Sequence, residues 1–124
     1  MKNQFIKIYL KPANPFSDKI KFWVESKFQE VIYINEKSSD HLNEIDGLII
    51  FNENQSMSKE ITEMKMSVDK QSKPIHKIDI NGTLMAGISN LSLWLDRSSC
   101  NKVLIVGGDE LVSNPNLDRY LLSL

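Results

Sequence analysis

The chain has 124 residues, a formal net charge of -1 and a single cysteine, Cys100. That length buries a core in one domain without metals or disulfides, and one cysteine excludes an internal disulfide and any paired-cysteine metal or redox site. A charge this close to neutral lacks the basic stripe a phosphate backbone needs, and no apolar run approaches membrane-spanning length, so neither nucleic acid nor a membrane is the expected partner.

Residues 5–10 (Phe-Ile-Lys-Ile-Tyr-Leu) are rich in β-formers and read as a first strand. Pro12 and Pro15 stop it, because proline cannot donate to a central ladder. Ser17 suits a helix cap, and Ile20, Trp23, Val24 and Phe28 mark one face of a helix over 18–29. A second strand is expected at 31–34, a polar connector at 37–40, a helical turn at 40–44 and a third strand at 47–52. Ile61, Met64 and Val68 then space a helix over 57–70, capped by Ser56 or Ser58. Pro74 ends it and leads into a strand over 75–80.

Asn81-Gly82-Thr83 makes a turn, after which Leu84, Ile88, Leu91 and Leu95 give the clearest helical spacing in the chain. A fifth strand, 103–107, ends in Gly107-Gly108. After a loop, Asn114 caps a closing helix with Pro115 in its first position and Leu117, Tyr120, Leu121 and Leu124 on one face.

The runs at 47–52 and 103–107 do not alternate, which suits strands covered on both faces in a parallel sheet. Strands alternating with helices imply an α/β three-layer sandwich with a five-stranded, mostly parallel sheet, flavodoxin-like or Rossmann-like. Two doubly wound strand orders fit, 2-1-3-4-5 and 3-2-1-4-5, and the first is preferred. No leader-like segment opens the chain, which by default suggests the cytoplasm.

In such sheets ligands bind beyond the carboxyl ends of the strands. That edge collects Lys11 and Asn14 after strand one, Asn52, Glu53 and Asn54 after strand three, Asp79, Asn81, Gly82 and Thr83 after strand four, and Gly107, Gly108, Asp109 and Glu110 after strand five. Asn14, Asn52, Asn54, Asp79, Gly82, Thr83, Gly107 and Gly108 are the ligand-binding candidates. Amides, glycines and helix starts suit a polar small molecule, although every α/β protein carries polar loops there.

No cofactor motif is present. The dinucleotide signature, the Walker A loop, the HExxH zinc motif and the GxSxG nucleophile elbow are all missing. The receiver-domain acids after strand one are missing too. His41 and His76 lack partners at metal spacing and read as structural, so no metal site is expected. Met57, Met64, Met66 and Met85, with Trp23 and Trp94, read as helix and core packing. Glu60 and Glu63, early in the helix after strand three, are the catalytic candidates. A carboxylate there can hold a ribose or attack a glycosidic carbon, while acidic residues also favour helix starts through the dipole.

From Asp46 onward the order of pieces resembles the nucleotide-binding Rossmannoid group of putative molybdenum carrier proteins and lysine-decarboxylase-like phosphoribohydrolases. The matching residues are Asp46-Gly47-Leu48-Ile49-Ile50, Lys73-Pro74, Ile78-Asp79, the strand end Val103 to Gly108, and Asn114-Pro115. Nucleoside deoxyribosyltransferases share the Asp-Gly to Lys-Pro segment and carry a glutamate in the helix between, which points again to Glu60 and Glu63. The group's glycine-rich loops after strands one and three are replaced by Lys11-Pro12-Ala13-Asn14-Pro15 and Asn52-Glu53-Asn54-Gln55-Ser56. The resemblance therefore implies a diverged member without the phosphate cradles.

The leading expectation is a non-catalytic or degenerate domain that binds a small nucleotide-type ligand and needs no cofactor. The rivals are an N-glycosidic hydrolase or transferase acting through Glu60 or Glu63, and a pure protein-interaction module, dimeric through a helix face.

Overall fold

The computed structural model describes residues 7–10, 15–27, 31–33, 44–53, 58–98 and 102–123. Its strands are β1 (Lys7–Leu10), β2 (Val31–Tyr33), β3 (Gly47–Asn52), β4 (Ile75–Asp79) and β5 (Lys102–Gly107). Its helices are α1 (Pro15–Lys27), α2 (Lys59–Lys70), α3 (Leu84–Ser98) and α4 (Pro115–Ser123), with a 3-10 helix at Asp109–Ser113.

Most differences from the sequence reading lie at element ends. The first helix starts at Pro15 rather than 18, because the fixed φ of proline suits the first helical position, so Ser17 is a buried helical residue and not the cap. Ser58 does cap α2, its Oγ accepting the Ile61 N–H at 3.2 Å. The loop after β5 contains the 3-10 helix, whose Leu111 is fully buried, and periodicity could not reveal so short a turn.

The strands pair in parallel in the order β2-β1-β5-β3-β4. Neither expected order is correct, since β5 lies between β1 and β3. Burial accounts for this. β3 and β5 carry the two uninterrupted apolar runs, and pairing them at the centre covers both of their faces. β4, with His76 and exposed Lys77, takes an edge.

Alternate residues of β1, β3 and β5 feed two cores, with Ile78 of β4 joining the first. Ile8, Leu10, Ile49, Phe51, Ile78, Val103 and Ile105 pack with Phe16 and Ile20 of α1, Leu91 of α3, Leu111, and Leu117, Tyr120 and Leu121 of α4. Tyr9, Leu48, Ile50, Leu104 and Val106 pack with Ile45 and with Ile61 and Val68 of α2. So α1, α3 and α4 cover one face while α2 covers the other. The crossovers β1-α1-β2, β3-α2-β4 and β4-α3-β5 consequently share one hand, as parallel crossovers do.

Two parts of the resemblance fall at the amino ends of the strands. The Asp46 carboxylate accepts the Lys102 N–H at 3.2 Å while its own N–H donates to the Lys102 carbonyl at 2.7 Å. The Pro74 carbonyl accepts the Leu48 N–H at 3.1 Å. Both pairs set strand register, on the side of the sheet away from the candidate site. Among the described residues, no helix is long and apolar enough to cross a membrane.

Candidate functional site

Chain leaves β5 and β4 toward the α1/α3/α4 face and leaves β3 toward the α2 face. β3 lies between β5 and β4, so its carboxyl end is where the connections part, the place an open α/β sheet offers a ligand. In register, Asn52 pairs with Asp79 of β4, and Phe51 pairs with Gly107 of β5, which brings Gly108 level with Asn52. The pleat that turns Leu48 and Ile50 toward α2 turns Asn52 the same way.

Among the described residues, two polar arrangements stand out at this edge. In the first, Asn114 Nδ2 donates to Glu53 Oε2 at 2.8 Å and to Asn81 Oδ1 at 2.9 Å. Asn116 Nδ2 donates to the same Asn81 Oδ1 at 2.9 Å, and the Asn116 N–H donates to Asn114 Oδ1 at 2.9 Å. The Asn81 N–H donates to Asp79 Oδ1 at 3.0 Å. The Tyr120 hydroxyl lies 3.3 Å from the carbonyls of both Asp79 and Thr83, its possible acceptors, and Gly87 leaves room for the ring. Together these bonds latch the start of α4 onto the ends of β3 and β4. Burial, and then the Asp79 carboxylate, push the Tyr120 phenol above its usual pKa, so it stays protonated and able to donate.

Beside the latch is a cavity of about 160 Å³ lined by Ile80, Asn81, Gly82, Leu84, Asn116, Arg119 and Tyr120. Pockets for drug-sized ligands run to roughly 300–1,000 Å³, so this one holds no more than a single ring.

The second arrangement is the buried side chain of Asn52. It is 4% exposed, and its Oδ1 finds no hydrogen-bond partner among the described residues. Its carbonyl is engaged, accepting the Ile80 N–H at 2.8 Å. Leaving a buried amide oxygen unpaired costs about 1–3 kcal/mol, so its retention needs a reason.

The remaining candidates are distributed as follows. Asp79 is half-buried beside Asn52, while Gly82 and Thr83 are exposed in the turn before α3, where the Gly82 N–H donates to the Asp79 carbonyl at 3.0 Å. Gly107 is buried because a Cβ there would stand 2.7 Å from the Phe16 ring, so its smallness serves packing. Gly108 has the Glu110 carboxylate lying against it. Among the described residues no glycine has positive φ, so neither Gly107 nor Gly108 forms the left-handed nest that cradles phosphate. Glu60 and Glu63 are exposed on α2, off its buried Ile61 and Val68 stripe. Asn14 and Asn54 lie outside the described residues, as do His41, Met57 and Cys100.

Asn116, Arg119 and Tyr120 were missed by sequence reasoning. Helical spacing marked Tyr120 as core and Asn114 as a cap, and nothing local indicates that their polar atoms reach back to β3 and β4. His76 stacks on Trp94 with ring centres 5.5 Å apart, and burial lowers its pKa, so it is a neutral packing residue of the sheet edge. Among the described residues no three His, Cys, Asp or Glu side chains gather closely enough to hold a metal ion.

No family model and no curated protein matches this chain in sequence. In three dimensions it is similar to the crystal structure of a protein described as "Putative molybdenum carrier protein" from Syntrophus aciditrophicus SB. The TM-score is 0.75 at 9% identity, over 98% of this chain and 93% of that one. The two share a fold. At that identity the likeness speaks for the backbone alone.

Proposed function

We propose that this chain is a non-catalytic binding domain for a small ligand of nucleotide type, held at the carboxyl ends of β3, β4 and β5. The observation that carries the reading is Asn52, a buried amide whose oxygen has no partner among the described residues, at the point where the connections diverge. Function sites are where a protein tolerates such a cost. No acid, base and nucleophile converge there among the described residues, so binding is the activity the edge supports.

The structural neighbour's description raises molybdenum as a cargo. In water molybdenum is an oxyanion, which needs N–H or cationic donors around it. The donor amides of Asn114 and Asn116 are engaged in the latch, and Gly108 already has a carboxylate against it. These residues do not fit an oxyanion.

Thermal unfolding against a panel of nucleosides, nucleotides and nucleotide sugars at millimolar concentration tests the reading. A ligand at 100 times its Kd adds about 2.7 kcal/mol, a rise of several degrees in Tm for a domain this size. That rise, lost in Asn52→Ala, is the expected result. A flat panel overturns the reading.

A further inference from the structure

The outer surface of α3 departs from the pattern of a surface helix. A helix packed on a sheet normally turns charged residues to solvent, as α2 does with Lys59, Glu60, Glu63 and Lys70. From Ile80 to Leu95 the sequence holds no charged residue, where the 25% of the whole chain would give about four. Burial does not account for the difference. Among the described α3 side chains Leu91 alone is buried, and the outward positions Met85, Ala86, Ser89 and Leu93 are exposed. Met85 is 71% exposed and Leu93 51%. Phe22 of α1 and Leu122 of α4 are exposed too, but within one turn of charged Asp18, Lys21, Asp118 and Arg119. The α3 face is the one that charge leaves open to an apolar partner.

We infer that this face docks on a second copy of the chain, α3 against α3, antiparallel about a twofold axis at Ser89. Met85 and Leu93 each lie four residues from Ser89, on its side of the helix. An antiparallel copy centred there sets Met85 against the partner's Leu93, and the symmetry repeats that contact in reverse. Ser89, small and on the axis, lets the two helices approach. The charges fit the same axis. Asp96 and Gly82 each lie seven residues from Ser89, Asp96 exposed near the end of α3 and Gly82 in the turn that precedes it. Docking therefore brings Asp96 to the start of the partner's α3, where the first turn has no acidic residue of its own and a carboxylate is favoured. It also brings Asp96 toward the partner's Arg119, an exposed guanidinium that lines the cavity beside Gly82. A parallel pair would set Asp96 against the partner's Asp96, and like charges repel. A contact one helix wide buries less than the roughly 1,200 Å² at which stable interfaces begin, so the dimer is a weak one, with Kd on the order of 100 μM.

Sedimentation equilibrium on the whole chain, from about 5 to about 500 μM, tests this. The expected result is a mass that rises from the 14.2 kDa of the monomer toward twice that value and fits a monomer–dimer equilibrium. Ser89→Lys sets two lysines together on the axis and is expected to hold the chain at monomer mass at every concentration. Leu93→Glu is expected to do the same, and both positions are exposed, so Tm should stay near that of wild type. Leu122→Lys, on the other apolar spot, is expected to leave the association unchanged. A wild-type chain that stays monomeric throughout overturns the proposal, as does a mass that climbs past the dimer. A dimer that survives Ser89→Lys or Leu93→Glu, or is lost in Leu122→Lys, overturns it as well.

Discussion

Asn114 and Asn52 stand at the same edge of the sheet, two kinds of amide in one fold. Asn114 uses its side chain to the full, donating to Glu53 and Asn81 and accepting from the Asn116 N–H, and so fastens α4 to two strand ends. Asn52 is more deeply buried, yet its oxygen bonds to nothing among the described residues. Residues whose polar atoms are all paired are there for the fold. A buried polar atom left unpaired costs stability, and an external partner is the reason to keep it. The proposed reading rests on this contrast between two amides a few residues apart in space, where composition alone makes every polar loop look alike.

Substitutions can break this contrast in order of size. The largest effect is expected at Gly107, because a side chain there drives into the Phe16 ring. Gly107→Val should cost about 3 kcal/mol, roughly 10 °C in Tm by calorimetry, and a glycine kept for a ligand would instead tolerate valine without loss of stability. Asn114→Ala removes the centre of the latch and the cap of α4 together, with an expected cost of about 2 kcal/mol in urea unfolding. A loss near zero would mean that the latch is not structural.

Tyr120→Phe is smaller, about 1 kcal/mol or less at neutral pH, since it removes only the 3.3 Å hydroxyl contacts. It also carries a pH signature. The folded protein holds the Tyr120 proton above the usual value of 10.0. Below that pH the contribution of this group is intact, and as pH rises through the folded pKa it is lost, because the unfolded chain releases the proton first. Stability–pH curves above pH 10 should therefore fall less steeply for the phenylalanine variant than for wild type.

The sequence disclosed the fold unevenly. The apolar runs of β3 and β5 and the spacing of α3 were visible because burial is written in residue type. Strand order was not, since nothing in a strand's own residues names its neighbour, and only the preference of the most apolar pair for the centre explains β5's position. The Asp46-Gly47 and Lys73-Pro74 pairs carried the family resemblance, yet they act at the amino ends of the strands, which is why they foretold a backbone better than a ligand. Asn52 was correctly placed at the edge, but no local signal distinguished it from Asn81. That distinction depends on which partners the folded chain brings within reach.

The most direct test of the account is Asn52→Leu, followed by thermal unfolding with and without a nucleoside. Leucine removes an unpaired buried oxygen, so the ligand-free variant is expected to gain about 1 kcal/mol, a rise of a few degrees in Tm, while its response to nucleoside disappears. A variant that melts below wild type and keeps the full ligand shift would contradict the claim that Asn52 is held buried for a ligand.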